Sequence, residues 1–124
     1  MSTEKPTILL AEDYPAMLRL LSRVLELEGY RVVTAHDDTA VLKLAAKRKP
    51  LQLVILGLET TEQHSIEVCR RIRQFSNVPV IILAAKYEVH DRMRSLEAGA
   101  ADFITLPVSM AEFVARVKAV LRCF

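Results

Sequence analysis

Two adjacent carboxylates, Glu12 and Asp13, follow directly on the apolar run Ile8-Leu9-Leu10-Ala11. Acids at the end of a buried strand suit a hard divalent cation such as Mg²⁺, which takes oxygen ligands. The same two residues also suit the first turn of a helix, where the positive end of the helix dipole favours acids. Sequence leaves both readings open. A second apolar run, Leu53-Val54-Ile55-Leu56, ends in Gly57, which has no side chain and supplies neither nucleophile nor ligand. Cys69 and Cys123 lack CxxC spacing and any histidine partner, so they read as reduced thiols rather than metal ligands, with Cys69 in the core.

The elements that position these groups alternate. Residues 7–11, 31–35, 52–56, 78–84 and 102–104 read as strands, and 8–10, 53–56 and 80–83 are apolar without alternation, as in strands covered on both faces. Between them, Met17, Leu18, Leu21, Val24 and Leu25 form one helical face that stops at Gly29, placed as a C-terminal cap. Val41, Leu44 and Ala45 mark a second helix. Ile66, Cys69, Ile72 and Phe75 mark a third, with Arg70, Arg71 and Arg73 outward. Val89, Met93 and Leu96 mark a fourth ending at Gly99, and Phe113, Val117, Val120 and Leu121 a fifth. This alternation predicts an α/β fold, a parallel sheet wrapped on both faces by right-handed crossovers. Chemistry in such a sheet sits at the carboxyl ends of the strands, near the switch in strand order.

Composition fits a single domain over residues 1–124: 52% hydrophobic residues are too many for a disordered tail, and no linker or repeat interrupts the chain. A formal net charge of +2 gives no general attraction to nucleic acid or anionic membrane. Apolar runs are far short of the roughly 20 residues a membrane helix needs. The opening Met1-Ser2-Thr3-Glu4-Lys5-Pro6 lacks the basic-then-apolar order of a secretory signal, so the expected location is cytoplasmic.

From Ile8-Leu9-Leu10-Ala11-Glu12-Asp13 to Ala115-Arg116-Val117-Lys118-Ala119-Val120-Leu121-Arg122, the chain resembles the receiver domain of two-component response regulators. Ile66-Glu67-Val68-Cys69-Arg70-Arg71-Ile72-Arg73, Val78-Pro79-Val80-Ile81-Ile82-Leu83 and Leu96-Glu97-Ala98-Gly99-Ala100-Ala101-Asp102-Phe103 carry the resemblance in order and spacing. It implies a flavodoxin-like doubly wound sheet of five strands, order 2-1-3-4-5, with five helices. A flavin is disfavoured, because the first loop has acids and Pro15 in place of a Ser/Thr/Gly-rich phosphate loop.

The departures from the family concentrate at the chemistry. Receivers place a phosphoacceptor aspartate where Gly57 stands, a hydroxyl where Ala84 stands, and a lysine where Leu106 precedes Pro107. The loop after the third strand, Glu59-Thr60-Thr61-Glu62-Gln63-His64-Ser65, lacks the family's usual acidic, proline and glycine residues. Only Glu12 and Asp13 survive, as a vestigial and weak Mg²⁺ site. An acceptor carboxylate and its lysine about 4 Å apart interact by roughly 4 kcal/mol near a surface, so losing both is less costly than losing one. Without a phosphoryl oxygen the hydroxyl replaced by Ala84 has nothing to bond. Glu59, Thr60, Thr61 and His64 lie nearby, but phosphoryl transfer depends on positioning, metal and cationic charge, and they read as solvated loop residues. The domain is therefore expected to be non-enzymatic and free of cofactor apart from weak Mg²⁺, and Leu106–Pro107 is expected to be cis, as at the corresponding receiver proline.

The end of the chain resembles the winged-helix transcription-factor branch of the family, whose fourth helix, fifth strand and fifth helix form a two-fold dimer. The resemblance matches Arg92 with Glu112 and Asp102 with Arg116 as cross-subunit pairs, and makes Phe103 the switch-region aromatic. Ala101 and Cys123 stand where a third pair is expected. Phe103, Val108 and Phe113 are candidates for the apolar centre of that face. The competing reading is ordinary surface charge, with Glu112 and Arg116 paired four residues apart on one helix. Two functions follow. One is the phosphorylation-independent, constitutively dimeric input domain of a transcription regulator, with a DNA-binding domain beyond residue 124 and no direct nucleic-acid or membrane contact of its own. The other is a stand-alone pseudo-receiver acting as an interaction adaptor or ligand sensor.

Overall fold

Leu53-Val54-Ile55-Leu56 has no polar face to offer water, and it forms the middle strand of the sheet with every residue buried. The computed structural model describes residues 5–47, 50–58, 64–84 and 89–123, without the side chains of 89–91. The elements run β1(Thr7–Glu12), α1(Pro15–Leu27), β2(Arg31–Ala35), α2(Asp38–Ala46), β3(Leu53–Gly57), α3(His64–Arg73), β4(Val80–Ala84), α4(Val89–Glu97), β5(Asp102–Thr105) and α5(Met110–Cys123). All pairings are parallel, in the order β2-β1-β3-β4-β5. That is the doubly wound α/β architecture and strand order expected above.

Alternate residues of each central strand feed two cores. Ile8, Leu10, Ile55, Ile81 and Ile104 pack with Leu21 and Leu25 of α1 and Phe113 and Val117 of α5. Leu9, Val54, Leu56, Ile82 and Phe103 pack on the other side with Val41 of α2, Cys69 and Ile72 of α3 and Ala98 after α4. Burial pushes the Cys69 thiol above its ordinary range, while Arg73 and Arg70 pull it back.

Sequence also sets where the helices stop. At Gly29 (φ 94°) the amides of Gly29 and Tyr30 reach back to the carbonyls of Glu26 and Leu25, and at Gly99 (φ 98°) those of Gly99 and Ala100 reach Leu96 and Ser95. Both turns need the left-handed backbone that glycine adopts most readily. Asp37 and Ser109 cap α2 and α5 by accepting from the amides of Ala40 and Glu112.

Helices α3 and α4 differ in detail from expectation. Phe75 lies beyond the end of α3 and is 48% exposed. Met93 and Leu96 of α4 are 54% and 49% exposed, because the helix turns the small side chains Ser95 and, just past its end, Ala98 to the protein instead. Arg73 is not simply outward: its Nε donates to the carbonyl of Gly99 at 3.1 Å and its Nη1 to that of Ser76 at 3.0 Å, tying the end of α3 to the turn after α4.

Candidate functional site

The sheet register brings the chemistry-bearing positions to one end. Glu12 closes β1 and stands in register with Gly57, the last residue of β3; Ala84 closes β4 beside Thr105; Leu106 follows β5, its amide donating to the Ala84 carbonyl at 2.7 Å. The Leu106–Pro107 peptide is cis. Acid pair, glycine, alanine and leucine therefore share the carboxyl edge of the sheet, where the fold places binding sites.

Glu12 is the residue whose placement sequence did not anticipate. It lies within strand β1 rather than at a helix start, and its side chain is buried, with 4% exposure for the residue. Its carboxylate is folded over Gly57: a Cβ built on that glycine would collide with Glu12 Oε2 and stand 3.3 Å from its carboxyl carbon. The carboxylate thus fills the first shell of space that a side chain at position 57 would need. Asp13 is partly exposed and sits between β1 and α1, not in the helix. Both acids have polar partners in the structure.

The side chains at the other two positions take part in packing. Leu106 packs against the core shared by α1 and α5, and Ala84 against the core on the opposite side. Neither side chain can neutralise an anion or donate a hydrogen bond to one. Glu12 and Asp13 are the residues that would hold a divalent cation, and what the ion would supply there is neutralisation of their charge. Mg²⁺ is commonly bound through one or two carboxylates with water completing its shell, so the pair is compatible with such an ion. Among the described residues no group of three or more His, Cys, Asp or Glu side chains stands close enough to hold a metal. Glu59, Thr60, Thr61, Glu62 and Gln63 lie outside the described residues.

Ser65, in the first turn of α3, is a site residue the sequence did not single out. It is buried, and its Oγ accepts from the amide of Leu58 and donates to the carbonyl of Leu58, both at 3.0 Å. The hydroxyl closes the backbone just beyond Gly57 onto α3. A serine in the first turn of a helix facing the end of a buried strand is the only sequence signal for it.

The second candidate region is the face of α4, β5 and α5. Arg116 Nη1 reaches both carboxylate oxygens of Asp102 at 3.1 and 3.0 Å, and its Nε reaches Glu112 at 3.3 Å. The hydrogen bond to Asp102, foremost, holds the Arg116 guanidinium above its ordinary range, against a smaller opposing effect of burial. The residues matched above as cross-subunit partners are therefore paired within one chain. Arg92 is exposed, and among the described residues it makes no ion pair. Phe103 and Phe113, at 2% and 0% exposure, belong to the core, and Val108 is partly buried against it, while Met93 and Leu96 are large apolar side chains left exposed on this face.

Comparison with known proteins gives a consistent result. Residues 8–118 match the response regulator receiver domain. The chain is 37% identical over 115 residues to the transcriptional regulatory protein KdpE of Mycobacterium tuberculosis, covering 93% of this chain and 50% of that one. It is 41% identical over 116 residues to the alkaline phosphatase synthesis transcriptional regulatory protein PhoP of Bacillus subtilis, covering 93% and 48%. The chain thus spans about half the length of these curated relatives. Among solved structures, the BeF3-activated N-terminal receiver domain of Klebsiella pneumoniae RstA matches with a TM-score of 0.85 at 27% identity, over 94% of this chain and 98% of that one.

Proposed function

The chain belongs to the response regulator receiver family, and on that premise we propose that it is a regulatory input domain that signals without accepting a phosphoryl group. One observation carries this reading: Gly57 supplies no carboxylate, and the space beside it is filled by the buried carboxylate of Glu12. Leu106 and Ala84 support it, since neither can neutralise or hold an acyl phosphate. The domain is non-enzymatic on this reading, and Mg²⁺ at Glu12 and Asp13 is weak.

Output passes through assembly. The α4–β5–α5 face pairs with its own copy about a two-fold axis, Met93 and Leu96 supplying apolar contact and Arg92, Asp102, Glu112 and Arg116 the register. Relatives that are transcriptional regulators about twice as long as this chain support an output domain outside it, binding DNA while the receiver does not.

The test is direct. Incubation with Mg²⁺ and acetyl phosphate is expected to leave the intact mass unchanged, and beryllofluoride to give no stable adduct. A gain of one phosphoryl group, labile to hydroxylamine, would overturn the proposal.

A further inference from the structure

At the end of the sheet opposite Glu12 and Gly57 lies a cavity of about 620 Å³, bounded by the chain entering β1, the start of β2, the end of α2 and the segment entering β3. Its wall is apolar where Val33, Leu44 and Leu51, all partly buried, pack onto the core beneath. Around it stand Lys5, Arg31 and Lys47, each exposed. Among the described residues no acid lines it and none of the three cations makes an ion pair. This sets them apart from Arg70, Arg116 and Lys118, whose charges are met by Glu67, Asp102 and Glu28.

We propose that this cleft binds a small organic anion with an apolar body, its carboxylate or phosphate head met by Lys5, Arg31 and Lys47 and its body laid on Val33, Leu44 and Leu51. The volume falls in the range of about 300–1,000 Å³ typical of small-ligand sites. The last carbonyls of α2 open toward this side and oppose an anion, but a helix C-terminus carries only about half a negative charge, against three full positive ones. A bare inorganic anion leaves the apolar wall wet, and a neutral amphiphile leaves the cations unmet, so the cleft selects a molecule carrying both features. The site is independent of the phosphoryl chemistry lost at Gly57, since its residues line the amino-terminal ends of β1 and β2. There Gln52 Oε1 accepts from the Thr7 amide at 2.6 Å, joining the entry to β1 with the approach to β3. A ligand seated on these segments ties together three neighbouring strands of the sheet.

The experiment titrates the full chain with decanoate and decyl phosphate, below their micelle concentrations, and with decan-1-ol and inorganic phosphate, following backbone amide shifts. Both anionic amphiphiles are expected to give saturable shifts confined to the neighbourhoods of residues 5–7, 31–33, 44–47 and 51–52, and the tighter of the two identifies the preferred head group. Arg31→Glu with Lys47→Glu, both on exposed side chains, is expected to weaken binding by about tenfold or more at unchanged thermal stability, and Lys5→Glu to weaken it independently. Decan-1-ol and inorganic phosphate are each expected to bind at least about tenfold more weakly than the better anion. Shifts that are absent or spread over the whole domain overturn the proposal. So does equal binding of decan-1-ol or of inorganic phosphate, or indifference to all three charge reversals.

Discussion

The carboxyl edge of the sheet and the α4–β5–α5 face carry charge under opposite conditions. At the edge, Glu12 is 4% exposed and lies over Gly57, while Leu106 and Ala84 pack into the two cores. On the face, Arg116, with a side chain 38% exposed, shares itself between Asp102 and Glu112. A buried charge that loses its partner costs several kcal/mol, so removing one group from a pocket makes its neighbours costly to keep. A surface charge that loses its partner gains water, at a cost of about 0–1 kcal/mol, and can persist unused. Under the proposed function the edge is therefore a set of positions that must change together, whereas charges on the face can persist whatever their role.

The largest effect that can break this contrast is a double-mutant cycle at the edge. Leu106→Lys alone exchanges apolar packing for an ammonium and is expected to cost about 1–3 kcal/mol in urea unfolding. Adding Gly57→Asp gives the lysine a partner and is expected to return about 1 kcal/mol or more as coupling. Strict additivity would mean that the substitutions at 57 and 106 are unrelated. Gly57→Asp by itself is expected to give no phosphorylation-dependent change in association, because neither Leu106 nor Ala84 reads the modified side chain.

A smaller effect separates assembly from folding. Met93→Asp with Leu96→Asp is expected to leave monomer stability within about 0.5 kcal/mol, since both side chains are about half exposed, and to weaken self-association by tenfold or more. A dimer that survives the pair of aspartates removes this face from the proposed function.

Much of this was legible in the chain. The three central strands announce themselves because burial on both faces leaves no polar position, and Gly29 and Gly99 mark helix ends because the turns there need positive φ. That Gly57, Ala84 and Leu106 stand at or just past the ends of their strands was legible too, through the resemblance to the receiver family. What spacing cannot carry is the path of a flexible side chain: the fold of Glu12 over Gly57 depends on a register that pairs residues 45 positions apart. Helix α4 shows the same limit in another form. Met93 and Leu96 have helical spacing, but the neighbouring stripe of Ser95 and Ala98 allows closer approach and is the one buried. Periodicity reports that a stripe exists, while packing chooses which stripe is used.

Two glycines sharpen the account of the edge. At Gly99, φ is +98° and an added Cβ would stand 2.9 Å from Arg73 Nε, so Gly99→Ala is expected to cost about 1–2 kcal/mol. At Gly57 the backbone is ordinary strand and the obstacle is the far end of the Glu12 side chain, which can swing away. Gly57→Ala is expected to stay within about 1 kcal/mol of the parent, the lower chain entropy of alanine partly offsetting displacement of the carboxylate. If the two cost the same, the carboxylate of Glu12 is held at position 57 far more firmly than its side-chain freedom implies.

The smallest effect concerns the charges of the face. Arg116→Glu removes the contacts to Asp102 and Glu112 and sets a third acid between them. With exposed pairs worth about 0.2–1 kcal/mol each, the monomer is expected to lose about 1 kcal/mol and the dimer to weaken a few-fold, less at high salt. The paired reversal Asp102→Arg with Arg116→Glu restores opposite signs but gives up the Asp102 carboxylate that accepts from the Phe103 amide at 2.8 Å. It also leaves Glu112 facing another acid, so recovery is expected to be partial. Urea unfolding reads the monomer and analytical ultracentrifugation across a wide protein range reads the dimer, and the two together divide the roles. A fall in unfolding stability with no change in association assigns Asp102, Glu112 and Arg116 to the single chain, where Arg116 already has both acids within reach. A fall in association larger than the fall in stability means that the same three residues change partners when two copies meet, with Met93 and Leu96 supplying the contact that makes the exchange worthwhile.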